Sequence, residues 1–424
     1  MSVRPRRALS ALLSIALLAL ALASAPPIPV WPAPRGPVSA GASSVRVSPA
    51  LAVTGASAPD VAAGVARFLL RAFPHAAPAA ASPHRRATAP AISSLALNVS
   101  DASTELQLGV DESYSLFVPS DATTPITLSA ATQYGALAGL ETLAQLLAWD
   151  PPTRAYSIEG APLSVTDGPA FGWRGLLVDT SRHFQPVASL HAIIDSMAMV
   201  KLNVLHWHIV DAQSWPVESA SWPLLWSAGA FSPLERYTTD DLAAIVEYAR
   251  ARGVRTVFEV DHPGHLSSAC KGYAALCPAD CAWDAGDNAV PLAPASNQTW
   301  QFLTDTLAEF AALSPDAFLH LGGDEVDTTC YSLDAATLAW AAANGLSGVG
   351  EIYGVFVQRM NAAARALGRS PIRWEDAWTA LGEKLDKATV IHVWLSPDTL
   401  GNVTSAGYRM YPPTARRPPP TTAH

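Results

Sequence analysis

The sequence predicts an α/β protein: a (β/α)8 barrel of the TIM type, preceded by a small α+β domain. Three observations predict it. From Phe171 onward, short apolar runs alternate with amphipathic helical stretches, which is the pattern of a parallel sheet. Upstream of Asp167 the pattern differs, with alternating strands and two helical segments. Polar and aromatic residues gather at the ends of the downstream apolar runs, where barrels of this kind hold their chemistry.

The chain of 424 residues is long enough for one barrel plus a smaller domain, and half its residues are hydrophobic. Its net charge is −9 and it carries no long basic run, which argues against nucleic acid as a partner. Thirteen Trp are present. Indoles stack on sugar rings in clefts, but they also fill cores.

Taken in order, the N-terminus reads as a secretory signal over residues 1–25. Arg4, Arg6 and Arg7 precede an apolar run from Leu9 to Leu22, and small residues follow. The run is short for a membrane span, and no second stretch is long enough. Sequons at Asn98, Asn297 and Asn402 fit a glycosylated protein of the secretory pathway. Four cysteines suit an oxidising compartment. Cys270, Cys277 and Cys281 cluster while Cys330 stands apart, and the absence of a CxxC pair argues for loop staples over a zinc knuckle.

The α+β domain is expected over residues 26–167. It contains a helix near Asp60–Phe73, strands at Leu95–Val99 and Tyr114–Val118, and a helix over Thr132–Ala148. Residues 75–90 read as a disordered Ala/Pro-rich insertion. The barrel is expected over 168–411. Its strand candidates are Gly175–Asp179, Asn203–Val210, Arg255–Val260, Phe318–Leu321, Ile372–Trp374 and Val390–Trp394. Helices lie between them at Val187–Val200, Asp240–Arg252 and Trp300–Leu313, with Ile352–Leu367 after the fourth strand. Asp240 and Asp241 favour a helix start, and Gly253 a helix end. Residues 412–424 read as a disordered Pro-rich tail.

The strand ends carry the unusual residues. Arg174 precedes the first strand, which runs into Asp179, Arg182 and His183. The second carries His206, Trp207 and His208, then Asp211. The third gives Glu259, Asp261 and His265. The fourth ends in His320-Leu-Gly-Gly-Asp324-Glu325, and the last two give Trp374, Glu375 and Trp394. Any one of these fits a structural role; their convergence from six strand ends points to a site. Adjacent carboxylates at a strand end repel and raise one pKa, which suits an acid that must stay protonated beside one that stays ionised.

These motifs together resemble family 20 glycoside hydrolases, the β-N-acetylhexosaminidases, in their lysosomal or secreted eukaryotic branch. The resemblance rests on Trp173-Arg-Gly-Leu-Leu-Val-Asp-Thr-Ser-Arg-His183 and Lys201-Leu-Asn-Val-Leu-His-Trp-His-Ile-Val-Asp211. It rests equally on Asp261-His-Pro-Gly-His265 and His320–Asp327. It extends upstream through Val30–Pro34, Asp111–Tyr114 and Tyr134–Gln145, and covers about residues 30–410.

The resemblance implies hydrolysis of terminal GlcNAc or GalNAc β-glycosides by a retaining, substrate-assisted route through an oxazolinium ion. It implies Glu325 as acid/base and Asp324 as the group that holds the acetamide N–H. Arg174 and Asp211 would bind the sugar, with Trp374 and Trp394 as walls of the acetamide pocket. Asp261, His265 and His320 would support them. No cofactor and no metal are implied. Partners would be N-acetylhexosamine-containing oligosaccharides or glycoconjugates, with a homodimer as the assembly. The compartment would be lysosomal, vacuolar or extracellular. The resemblance also implies a bridge from Cys330 to the loop after the third strand, at Cys277 or Cys281 with Cys277 preferred, the other two cysteines being free or paired locally.

The match stops near Tyr408, where family members continue through a seventh and an eighth strand that supply further sugar contacts. The chain as written is therefore expected to be an incomplete barrel, poorly stable and inactive alone. Ala212 also departs from the family's frequent second Asp. Two other readings compete. One is an inactive sugar-binding remnant. The other is a metal-dependent barrel hydrolase using His206, His208, His265 and Asp324, against which the aromatic walls and the Asp-Glu pair speak.

Overall fold

The computed structural model describes residues 28–76, 90–281 and 290–411. The expected signal segment, most of the Ala/Pro insertion and the Pro-rich tail lie outside the described residues. The chain divides into two compact units, one of residues up to 104 with 110–172, the other of 105–109 with 173 onward.

In the first unit β1 (Val38–Thr54) leads to helix α1 (Pro59–Ala72), then β2 (Ile92–Asp101), β3 (Tyr114–Val118) and β4 (Ile126–Thr132). Helix α2 (Gln133–Leu146), β5 (Ala148–Asp150) and β6 (Ala155–Asp167) follow. The six strands form one mixed sheet in the order β1-β2-β4-β3-β6-β5. The long β1 pairs antiparallel with β6 along its first part and parallel with β2 near its end. Alternation along β3 and β4 sends Leu116, Val118, Ile126 and Leu128 into the core, where Val61, Val65 and Phe68 of α1 and Leu140 and Leu143 of α2 meet them.

The second unit is a parallel sheet of seven strands in chain order. Strand β7 (Gly175–Asp179) is followed by α3 (Val187–Met199), β8 (Val204–Val210), the short α4 (Leu224–Gly229) and α5 (Thr239–Arg250). Next come β9 (Arg255–Val260), α6 (Ser267–Cys270), α7 (Asn297–Leu313), β10 (Phe318–His320), α8 (Ala335–Ala343) and α9 (Gly350–Ala366). The series ends with β11 (Ser370–Trp374), α10 (Glu375–Leu381), β12 (Val390–His392), α11 (Pro397–Ser405) and β13 (Arg409–Tyr411). Helix α5 starts where its carboxylates predict: Thr238 and Asp241 form a capping box, and Gly253 beyond its end has φ +77°.

Strands β8 and β9 are buried along their whole length, as a sheet covered on both faces requires. The period of two divides their side chains. Leu205, Trp207 and Phe258 face outward into the layer of helices, with Leu303, Phe310 and Phe356. Val204, Val257, Phe318, Ile372 and Val390 pack together as an apolar layer inside the curl of the sheet. One step further along the same strands stand His206, Glu259, His320, Trp374 and His392. A polar layer therefore lies over an apolar one, on the way to the strand ends.

The structure adds a seventh strand, β13, which sequence reading passed over because three residues carry too little pattern. The sheet curls far enough that Trp173, before β7, stacks on Tyr411 of β13 with ring centres 4.0 Å apart. The disulfides also differ from the preferred expectation. Cys330 pairs with Cys281, the second option, and Cys270 pairs with Cys277 within one loop. The side chains of Asn98, Asn297 and Asn402 are exposed. No helix among the described residues is long and apolar enough to cross a membrane.

Candidate active site

Strand β10 ends at His320, and the chain then turns sharply through Gly322 and Gly323, with φ of +56° and +104°. A Cβ on Gly322 would lie 1.9 Å from Asp261 Oδ1, so only glycine fits here. The turn is tied from several sides. Gly323 N–H donates to Asp261 Oδ1 at 2.6 Å, Tyr353 Oη donates to the Gly323 carbonyl at 2.6 Å, and the buried Arg373 donates to the Leu321 carbonyl at 2.7 Å. This backbone delivers Asp324 inward and Glu325 outward. The Asp324 side chain is 16% exposed and that of Glu325 50%. Glu325 itself has φ +56°, a left-handed conformation costing on the order of 1–3 kcal/mol in a residue with a side chain.

His265 joins the acids. Its buried Nε2 stands 3.8 Å from Asp261, 3.8 Å from Asp324 and 3.6 Å from Glu325. Asp261 Oδ2, Asp324 Oδ1 and His265 Nε2 are all buried with no hydrogen-bond partner among the described residues. Burial, and then the neighbouring charge of Asp261, push Asp324 up to about 10. Burial likewise raises Asp261 to about 7. The strongly raised carboxyl is therefore Asp324, the inward member of the pair.

Behind this group lies a charged support. Asp211 is fully buried and accepts from His208 Nε2 at 2.5 Å and from His265 Nδ1 at 3.1 Å, and Arg182 Nη2 lies 2.8 Å from it. Burial works against its ionisation, but the two histidines hold it down at about 2. Glu259, also fully buried, meets His206 Nε2 at 2.7 Å, His208 Nδ1 at 2.8 Å, His320 Nδ1 at 3.1 Å and Trp374 Nε1 at 2.8 Å. Burial would raise it, and the histidines around it keep it well below the usual carboxylate range. Burial lowers His320 to about 4, despite Glu259.

The aromatic residues form a wall beside the acids. Trp374 and Trp394 meet edge to face with ring centres 6.4 Å apart. Trp394 is held by two neighbours of Trp374. Glu375 accepts its backbone N–H at 3.1 Å, and Asp376 accepts its indole N–H at 3.0 Å. Asp376 also accepts the Glu325 N–H at 3.4 Å, so the wall and the acid loop share one carboxylate.

Most of the residues expected from the sequence come together: Glu325, Asp324, Asp261, His265, His320, Trp374 and Trp394. Two expected sugar binders do not fit that role. Arg174 lies at the opposite, N-terminal end of its strand, where its Nε donates to the Lys201 carbonyl at 2.7 Å. A residue preceding β7 cannot reach the far end of the sheet. Asp211 has no exposed surface and is spent on His208, His265 and Arg182. The arginine at the strand end is Arg182, 30% exposed, with Nη1 donating to Asp179 at 2.9 Å. Its place after the first strand was legible, but its neighbour Arg174 took the role. Nor do the expected metal ligands converge as one set. Among the described residues the groups that could hold an ion are His206–His320–His392, His208–Glu259–Asp261 and Asp261–His265–Asp324, which distribute those residues among three places.

Comparison with known proteins identifies the family. Residues 171–412 match the catalytic domain of glycosyl hydrolase family 20, and residues 30–146 match a domain described as beta-acetyl hexosaminidase like. The chain is 42% identical to beta-hexosaminidase 3 of Arabidopsis thaliana over 73% of its length and 57% of that protein's. It is 35% identical to the human beta-hexosaminidase beta subunit, over 70% of this chain and 53% of that one. Among solved structures, the chitobiase of Flavobacterium johnsoniae superposes with a TM-score of 0.77 at 28% identity, over 91% of this chain and 59% of that one. The chain thus spans somewhat more than half the length of the relatives it matches. With that catalytic domain matched over residues 171–412, more than half of its length, the chain belongs to glycosyl hydrolase family 20.

Proposed function

We propose that the protein hydrolyses terminal, non-reducing β-linked N-acetylhexosamine residues with retention of configuration, using the substrate's own 2-acetamido group as nucleophile. The observation that carries the proposal is the unlike pair at the end of β10. Glu325 projects into solvent reach, while Asp324 is buried with an oxygen that has no partner among the described residues. An acetamide N–H is the donor that such an oxygen lacks.

In the first step Glu325 gives its proton to the glycosidic oxygen. The C1–O bond breaks as the acetamide oxygen bonds to C1, and an oxazolinium ion forms. Positive charge now lies beside Asp324, whose carboxyl accepts the acetamide N–H and whose pKa, about 10 at rest, that charge lowers. Water then adds to C1, Glu325 takes its proton, and the acetamide is released. Trp374 and Trp394 would enclose the acetamide methyl. Arg182, a fixed fork of donors, would hold sugar hydroxyls.

The exposed sequon asparagines and the two disulfides support a glycoprotein of the secretory pathway, lysosomal, vacuolar or extracellular, acting on N-acetylhexosamine-containing glycoconjugates. The deciding experiment follows product stereochemistry by NMR with an aryl β-GlcNAc or β-GalNAc substrate. The β-anomer should form first, and a thiazoline mimic of the intermediate should compete. Initial formation of the α-anomer would overturn the substrate-assisted route.

A further inference from the structure

The polar layer of the barrel holds three imidazoles that the proposed reaction leaves without a direct role. His206, His320 and His392 come from β8, β10 and β12. Their ring centres lie 4.4, 5.5 and 5.7 Å apart, and one ring nitrogen from each falls within 4.8 Å of the others. His320 Nε2 and His392 Nδ1 are 3.3 Å apart. That is roughly the separation of two nitrogens bound to one tetrahedral ion at about 2.0–2.1 Å each.

The remaining nitrogens are arranged as an outer shell. Glu259 lies 2.7 Å from His206 Nε2 and 3.1 Å from His320 Nδ1. A buried carboxylate accepting the N–H of His206 fixes that tautomer and turns its other nitrogen into a ligand, and binding through His320 Nε2 would move the His320 proton to Nδ1 beside Glu259, in place of the Gly322 N–H that Nδ1 accepts at 3.1 Å. The carboxylate also supplies negative charge to offset an ion. Three imidazoles without thiolate or further oxygen ligands suit zinc or copper rather than calcium or magnesium. His392 is only half-buried, which leaves one side of the cluster open.

We propose that His206, His320 and His392 form a transition-metal site in the polar layer of the barrel, with Glu259 as its outer-shell carboxylate. Trp374 stacks on His392 with ring centres 4.2 Å apart, so an ion held here would fix the wall of the neighbouring site. The metal site stands independently of the proposed reaction.

The test uses the full chain, stripped with a chelator and titrated with Co2+. One equivalent should bind and give the visible absorption of a tetrahedral centre, and Zn2+ should displace it. His392→Gln should weaken binding by about 100-fold or more, the scale on which even outer-shell losses act. His265→Asn, which removes the histidine of another candidate group, should leave binding unchanged. Retained affinity in His392→Gln, or loss in His265→Asn, would overturn the assignment. Should the His392 variant fail to fold, Cu2+ electron paramagnetic resonance on the unsubstituted protein decides. Three nitrogen ligands are expected, and fewer would overturn the site.

Discussion

His265 turns Nε2 toward Glu325 Oε2 at 3.6 Å while its Nδ1 is fixed to Asp211 at 3.1 Å. A buried carboxylate thus aims an imidazole at the proposed acid/base. Burial would lower the His265 pKa, but Asp211 and Asp324 outweigh it and leave the ring protonated more readily than usual. His265→Asn is expected to lower kcat by about 100-fold. KM should change little, and the pH profile of kcat should shift. An unchanged profile would reduce the residue to a packing role.

Glu325→Gln removes the proton donor while keeping shape. Turnover of substrates with poor leaving groups should fall by about 100-fold or more. Nitrophenyl glycosides, which need little protonation, should suffer less in their first step. Asp324→Asn replaces the carboxyl that faces the acetamide with an amide that cannot ionise against the developing positive charge, and should cost on the order of 100-fold with every leaving group. Comparing the two variants across a leaving-group series separates the roles. Identical slopes would contradict the division of labour.

Arg182 and Arg174 give a direct contrast. Arg182→Lys loses the fork at the strand end, and kcat/KM should drop about 10- to 100-fold, the scale of a hydrogen bond to a charged group. Arg174→Lys, at the opposite end of the strand, should leave KM for the sugar unchanged. Steady-state kinetics on both would reverse the assignment if Arg174 proved the sensitive one.

The raised carboxyls have a consequence for stability. Asp324 holds its proton to about pH 10 in the folded protein and, unfolded, releases it near pH 3.8; Asp261 behaves likewise up to about 7. The folded state therefore binds more protons than the unfolded state over this range, and stability falls as pH rises from about 4 toward 10. Asp324→Asn, neutral at every pH, should flatten this dependence. It should also raise the melting temperature at pH 7 by roughly 2–4 °C, the response to about 1 kcal/mol in a domain of this size. A variant that melts lower at pH 7 would show that the carboxyl contributes more than its ionisation costs.

Much of this was legible in the sequence, for identifiable reasons. Apolar runs such as Val204–Val210 are long enough to show a strand, and the Gly322-Gly323 break marks the end of Phe318–His320. Arg409–Tyr411 is too short to carry a pattern, and only pairing with Val390–His392 makes it a strand. Side-chain destination was harder to read. Arg174 and Arg182 flank one strand and differ only in which end they occupy, a property of the folded sheet. Asp211 looks like a sugar ligand until His208, His265 and Arg182 are seen to consume it. Asp376, which bridges Glu325 and Trp394, and His392, which completes a cluster across three strands, depend on contacts no local pattern encodes.

The Trp173–Tyr411 stack gives the barrel unit a history. Its strands lie in chain order, so each can dock on the one before it as synthesis proceeds. The meeting of these two rings is different, because it joins the beginning and the end of the series. It closes the largest loop in the unit, and contacts of such separation form late. Until Tyr411 leaves the ribosome, Trp173 has the edge of Phe318 and the guanidinium of Arg255 beside it but not the phenol that stacks on it.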